Sequence, residues 1–186
     1  MSTPIQWPKR DLTARPPAVL RPLFARIASY RGPIPVDDLR HEIESLHVTA
    51  QELGDAIAID RGRYTRTQVF RSEHVEVLVM AWLPGQRSPI HDHAGSACAV
   101  RVVSGSAREW LYALRPDGLV DGNGDRLLHE GGVTSSFDSE IHSLGNAADD
   151  AGGAVDASSV LVTIHAYSPP LAPTRKYEDA AARAAR

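Results

Sequence analysis

The sequence predicts a mainly β protein, a barrel or sandwich, with α-helices gathered at its N-terminal end. Two observations predict it. From about Arg63 onward the chain breaks into short β-branched or alternating runs separated by Gly, Pro and Asp, the texture of an all-β fold. Before that point apolar residues instead recur at three-and-four spacing, the mark of amphipathic helices. A length of 186 residues suits one domain with a real core.

The elements follow in order. In "AVLRPLFARIASY", Val19, Leu20, Leu23, Phe24 and Ile27 fall on one helical face, and Arg31-Gly32-Pro33 is expected to end the helix. A second helix is expected in "VDDLRHEIESL", capped by Asp37 or Asp38, with Leu39, Ile43 and Leu46 on its buried face; short oxygen-bearing side chains satisfy the free N–H groups of a first turn. A third, in "TAQELGDAIAI", would be capped by Thr49.

Strands are expected in "RYTRTQVF", "HVEVLVMAWL", "CAVRVVSG", "AREWLYAL", "EIHSLGN" and "VLVTIHAYS". Between them Pro84-Gly85, Gly105, Pro116-Asp117-Gly118, Gly122-Asn123-Gly124 and Gly131-Gly132 read as turns. The small, polar "NAADDAGGAVDASS" reads as a mobile loop, and "YEDAAARAAR" as a solvated or frayed helix. The expected organisation is a single domain over 1–186: a helical segment (1–60) packed on a β-barrel (61–172), then a C-terminal tail (173–186).

Charge and composition narrow the partners. Twenty Lys and Arg against 23 Asp and Glu give a net charge of -3, without the basic field that nucleic-acid binding relies on. No apolar run approaches the ~18 residues of a membrane-spanning helix. A single cysteine cannot close an intramolecular disulfide, and "MSTPIQWPKRDLTARPP" lacks the apolar core of a signal peptide. The expectation is a cytoplasmic monomer acting on a small molecule, with no nucleic-acid or membrane partner.

The chemistry concentrates in "GQRSPIHDHAGSACAVRVVSG", residues 85–105. On a strand, side chains alternate, so His91 and His93 would project to one side and could share a metal ion while Asp92 points away. The spacing of Gly85, His91, His93, Cys98 and Gly105 resembles the first motif of the cupin superfamily, with cysteine where most cupins carry a metal-binding glutamate. A second cupin-like segment follows at Gly131, Ser139, His142 and Asn146, with Phe137 and Ser139 in place of the usual proline and second glycine. The resemblance implies a cupin barrel, a double-stranded β-helix or jelly roll, and His142 as a third ligand. Three neutral imidazoles leave about half of a first-row metal's coordination sphere open and the metal's charge unoffset, so anionic ligands such as thiolates are favoured.

Further segments sharpen the resemblance. "YTR" at Tyr64 to Arg66, "HDH" followed by Cys98, "IHSLGN" around His142 and "HAYSPP" at His165 to Pro170 together resemble type I cysteine dioxygenase, in the same order and similar spacing. In that family three histidines hold non-haem Fe(II), cysteine chelates it through sulfur and amine, and O2 is incorporated to give cysteine sulfinic acid. The resemblance implies His91, His93 and His142 as metal ligands and Arg66 as the carboxylate-binding residue, a role suited to a planar guanidinium fork. A related branch that acts on mercaptopropionate has glutamine at the Arg66 position.

Alternation in "VLVTIHAY" puts Leu161, Thr163, His165 and Tyr167 on one face. Thr163 stands where the family has serine, and the resemblance makes this row a support that aims Tyr167 at the substrate. Tyr64 and Trp82 match family positions near the site. In the animal members a cysteine at the Cys98 position is joined by a thioether to the tyrosine at the Tyr167 position, so a Cys98–Tyr167 cross-link is expected here as a protein-derived cofactor.

Other readings stay open on the residues alone. Cys98 fits an ordinary buried small residue or a direct thiolate ligand to zinc. Arg66 fits a surface ion pair. His165 and Tyr167, like Trp82 and Tyr64, fit core packing. A dioxygenase for another thiol carboxylate and a non-catalytic metal-binding cupin are the competing functions.

Overall fold

The structure, a computed structural model, describes residues 9–137, 139–148 and 159–185. The stretch read as a mobile loop, 146–159, lies largely outside the described residues. A 3-10 turn (Ala18–Leu20) leads into α1 (Arg21–Ile27), which buries Leu23, Phe24 and Ile27 and stops short of Arg31-Gly32-Pro33. Helix α2 (Val36–Glu44) buries Leu39 and Ile43.

The expected aspartate cap on α2 is not there. Pro35 occupies the N-cap position with no side-chain hydrogen bond, and Asp37 and Asp38 lie inside the first turn, where their charge still favours the helix dipole. Helix α3 (Ala50–Leu53) keeps its expected cap: Thr49 and Glu52 form a reciprocal capping box.

The described residues form nine strands. They are β1 (Arg10–Asp11), β2 (Thr65–Arg71), β3 (Glu76–Trp82), β4 (Ala97–Ser104), β5 (Ser106–Leu114), β6 (Val120–His129), β7 (Val133–Ser136), β8 (Ile141–Asn146) and β9 (Leu161–Ser168). A six-stranded sheet has the order β1-β2-β3-β9-β4-β7, and a three-stranded sheet the order β6-β5-β8. All named pairs are antiparallel except β1 with β2.

The large sheet is covered on both faces. Every residue of β3 and β9 is buried. On the outer face Val77, Val79, Ala81, Val162, Ile164 and Ala166 pack with the helical residues Leu23, Ile27, Leu39 and Ile43. On the inner face Leu78, Met80, Trp82, Cys98, Val100, Leu161 and Tyr167 meet Ala107 and Leu144 of the smaller sheet. The face assignment made for β9 from alternation alone is therefore correct.

Two expectations fail in the smaller sheet and beside it. Gly122-Asn123-Gly124, read as a turn, lies within β6, where apart from Val120 and half-buried Leu128 every residue is exposed. An edge strand with so little buried surface leaves no alternating pattern to read. β7 was not anticipated either.

The segment 86–91 lies along β8 like a further strand. Ser88 donates its N–H to Leu144 O (2.8 Å), Asn146 to Gln86 O (3.0 Å), and His91 and His142 exchange both main-chain bonds, 2.9 and 3.0 Å. Arg87 holds this segment from outside: its guanidinium stacks 3.6 Å above the Trp110 ring and donates to Ser143 and Tyr112. The approach demands glycine at 145, since a Cβ there would sit 2.6 Å from Gln86 O and 2.9 Å from Arg87 Cα. Gly145→Ala should lower stability by about 1–3 kcal/mol, the usual penalty of overpacking, as measured by urea denaturation. An unchanged midpoint would show that segment 86–91 is not packed against β8.

Candidate metal centre

His91, His93 and His142 come together, with one potential ligand atom from each lying within 4.8 Å of the others. The ring centroids are 5.6 Å (His91–His93), 4.9 Å (His91–His142) and 4.7 Å (His93–His142) apart. The backbone that delivers them differs from expectation. His142 is on β8, but His91 sits in an isolated bridge to His142 and His93 in a non-strand segment. Ala94 and Gly95 take left-handed φ of 48° and 89° just after the triplet, so the chain turns sharply into β4 instead of running straight.

Each Nδ1 has a partner. That of His91 lies 2.9 Å from Pro89 O, that of His93 3.3 Å from Ser136 Oγ, and that of His142 2.6 Å from Glu109 Oε1. This leaves the three Nε2 atoms for one another's neighbourhood, and His93 Nε2 is buried without a hydrogen-bond partner. Buried polar atoms are seldom left so. An imidazole set with its Nδ1 atoms tied down and its Nε2 atoms converging fits a divalent first-row metal.

Electrostatics disfavour the charged form of His91 and His93. Burial, then the neighbouring His142, lowers His91 from 6.5 to about 3. Burial with His142 and His91 lowers His93 to about 2. Burial alone would push the Glu109 carboxyl up, but its hydrogen bonds to His142 and Arg126 win and hold it at about 2. Arg126 reaches Glu109 Oε2 at 2.6 Å from directly opposite on β6.

An open cleft of about 610 Å³, its mouth included, lies beside the triad. His91, His142, His165, Tyr167, Arg66, Tyr64 and Trp82 line it. Thr163, Cys98 and His93 stand behind this lining: all three are buried. Arg66 Nε is buried and has no acceptor among the described residues. Tyr64 and Trp82 stack at 4.2 Å with 19° between planes.

The β9 row is hydrogen-bonded end to end. Trp82 Nε1 donates to Thr163 Oγ1 (2.9 Å), Thr163 Oγ1 is 2.9 Å from His165 Nε2, and His165 Nδ1 is 3.1 Å from Tyr167 OH. Burial, then Arg66, lowers His165 to about 3. Cys98 is in register with Tyr167 across β4 and β9, and both pack in the core of the inner face. Burial pushes the thiol up from its ordinary value of 9.0, and it is not part of the histidine cluster, against the reading of Cys98 as a thiolate ligand.

Comparison with known proteins now decides the family. The family described as "Cysteine dioxygenase type I" matches residues 13–180. The chain belongs to the cysteine dioxygenase type I family. It is 27% identical over 150 residues to cysteine dioxygenase type 1 of Danio rerio, covering 78% of this chain and 71% of that protein. It is 26% identical over 141 residues to the Bos taurus protein of the same name, covering 74% of this chain and 66% of that protein. The fold is also that of a Klebsiella pneumoniae protein with a double-stranded β-helix domain, at a TM-score of 0.50 and 20% identity over 73% of this chain and 94% of that one. The expected cupin architecture is present.

Sequence reasoning missed several residues around this cysteine dioxygenase-family site. Glu109 and Arg126 support His142, and Ser136 supports His93. Leu171, Thr174 and Lys176 bring the C-terminal stretch into the cleft wall. That stretch is fastened by Asp92, whose carboxylate accepts from Arg175 N–H (3.0 Å) and Tyr177 O–H (2.9 Å). The middle residue of "HDH" thus does point away from the metal site, toward the tail.

The depressed imidazoles fix the sign of acid sensitivity. Below about pH 6.5 the unfolded chain takes up protons that folded His91, His93 and His165 refuse until about pH 2 to 3. Stability of the metal-free protein is therefore full above pH 6.5 and is lost as pH falls through this window, at up to about 1.4 kcal/mol per pH unit for each ring. Glu109 adds loss of the same sign below its ordinary 4.5. Urea midpoints should drop markedly from pH 7 to pH 5, and equal midpoints would contradict neutral burial of the rings.

Proposed function

We propose that the protein is a non-haem iron(II) thiol dioxygenase that oxidises L-cysteine with O2 to cysteine sulfinic acid. The observation that carries this reading is the buried Arg66 Nε, a donor without an acceptor among the described residues, in the wall of the cleft that also exposes His91 and His142. Family membership supports it, and the donor set fits iron, with His91, His93 and His142 as the holding residues.

Bound iron(II) would supply adjoining positions for thiolate and O2 and the charge that keeps the thiol ionised. The protein's own groups do the rest. Arg66 binds the substrate carboxylate through paired charge-assisted hydrogen bonds. Tyr64 and Trp82 form a flat apolar wall that fixes the small substrate and keeps water out.

The β9 row sets the direction of a proton chain. An indole N–H can only donate, so Thr163, accepting from Trp82, turns its own O–H to His165 Nε2. His165 Nδ1–H then donates to the Tyr167 oxygen. Tyr167 keeps its O–H to offer to the substrate or to Cys98, and burial, then Cys98, raises the phenol well above its ordinary value, so it acts as a neutral donor.

The Cys98–Tyr167 pair is poised for a thioether. One S–C bond to a ring carbon forms, the thiol hydrogen and the ring hydrogen leave as two protons with two electrons, and O2 is reduced to hydrogen peroxide. We further infer a cytoplasmic monomer, in keeping with the unpaired thiol of Cys98 and the net charge of -3. The segments 1–60, 61–172 and 173–186 work as one domain, since the cleft wall takes residues from both of the last two.

Arg66→Gln should raise the apparent KM for cysteine at least tenfold, since losing a paired buried charge costs about 2–5 kcal/mol. Oxygen uptake on cysteine and on 3-mercaptopropionate checks it. Unchanged cysteine turnover in the variant, or a preference of the parent for the mercaptan, would refute the substrate assignment. The intact mass of iron-loaded protein after many turnovers with cysteine should show a fraction two hydrogens lighter, and Cys98→Ala should abolish that fraction. A wholly unshifted parent mass would exclude the cross-link.

A further inference from the structure

Cys98 has a second neighbour that the proposed cross-link does not use. In the large sheet β4 lies between β9 and β7, and Cys98 is in register with Tyr167 on one side and Ser136 on the other. Residues directly opposite share a face, so the Tyr167 and Ser136 hydroxyls flank the thiol, and both act to hold it down against the upward push of burial. Ser136 Oγ in turn lies 3.3 Å from His93 Nδ1. Ser136, Cys98 and His93 are 4%, 1% and 0% exposed, so water does not compete for these groups.

We propose that Ser136 is a positioning residue that couples the metal ligand His93 to the thiol of Cys98. The inference rests on the metal-centre reading given above. A histidine that binds metal through Nε2 carries its proton on Nδ1, and that N–H needs an acceptor that orients the ring. His91 and His142 give theirs to a main-chain carbonyl and a carboxylate, neither of which has a proton to pass on. Ser136 is different. Having accepted from His93, its hydroxyl must turn its own hydrogen elsewhere, and the Cys98 sulfur is the partner on its other side.

A metal ion at His93 Nε2 polarises the ring and strengthens its Nδ1–H as a donor. Ser136 passes that change to the sulfur as a stronger O–H···S bond. The hydrogen-bonded path therefore runs from Trp82 through Thr163, His165, Tyr167, Cys98 and Ser136 to His93, and the thiol senses whether the centre is filled.

The chain's single cysteine makes the test free of background, because the infrared S–H stretching band belongs to Cys98 alone. Zinc, which is redox-silent, serves as the probe metal. In the parent protein, saturating zinc should shift the S–H band. Ser136→Ala should bind zinc about 10–100-fold more weakly, as loss of a ligand's hydrogen-bond partner typically does, and its S–H band should no longer respond. Ser136→Thr, which keeps the hydroxyl, should restore both.

An S–H band in the zinc-loaded parent that stays where it was would overturn the coupling, and this measurement stands even if Ser136→Ala does not fold. So would a Ser136→Ala protein with parental zinc affinity and a parental band shift. Failure of the parent to bind zinc at all is a separate result: it removes the metal centre, and the coupling with it.

Discussion

One potential ligand atom from each of three imidazoles lies within 4.8 Å of the others, in a buried space where like charges would repel strongly and lack water to stabilise them. The protein meets this constraint one ring at a time. A carbonyl, a hydroxyl and a carboxylate each face one Nδ1, an arrangement that suits Nε2 lone pairs turned toward a metal ion. Among the described residues no carboxylate joins the set, so the ligands would leave the charge of a bound divalent ion unoffset. The Arg66 guanidinium lies in the same wall and brings a further positive charge to the cleft.

The fold holds this arrangement from outside. Strands β3 and β9 are buried on both faces, which gives the Trp82–Thr163–His165–Tyr167 row an unyielding backing of Val, Ile and Ala against the helices. His91 and His142 come from distant stretches but share two main-chain hydrogen bonds, so neither ring can move without the other. Even the exposed strand β6 contributes, because Arg126 faces Glu109 in register and fixes the carboxylate that fixes His142.

Much of this was legible in the residues. Alternation in "VLVTIHAYS" placed Thr163, His165 and Tyr167 on one face because both sides of β9 are packed. Thr49 announced the cap of α3 because capping is a local interaction, and the structure adds Glu52 as its reciprocal partner. The ligand histidines were identified by type and spacing, yet the strand assumed to carry His91 and His93 does not exist, since the left-handed Ala94–Gly95 turn follows them at once. Glu109 and Ser136 were invisible for another reason: each acts on a histidine more than 30 residues away, and in its own strand it looks like any polar residue. Asp37 and Asp38 misled because Pro35 already sets the start of α2.

The order of strands in the large sheet bears on how the molecule is made. β9 is the last strand in the chain, yet it sits between β3 and β4. Until it inserts, two apolar strands present bare edges to solvent, and bare edges invite pairing with other chains. Closure over such sequence separations is slow because its entropy must be met before the contacts reward it. All three histidines of the triad precede β9 in the chain, so the two halves of the site meet only where this last strand fills the gap between β3 and β4.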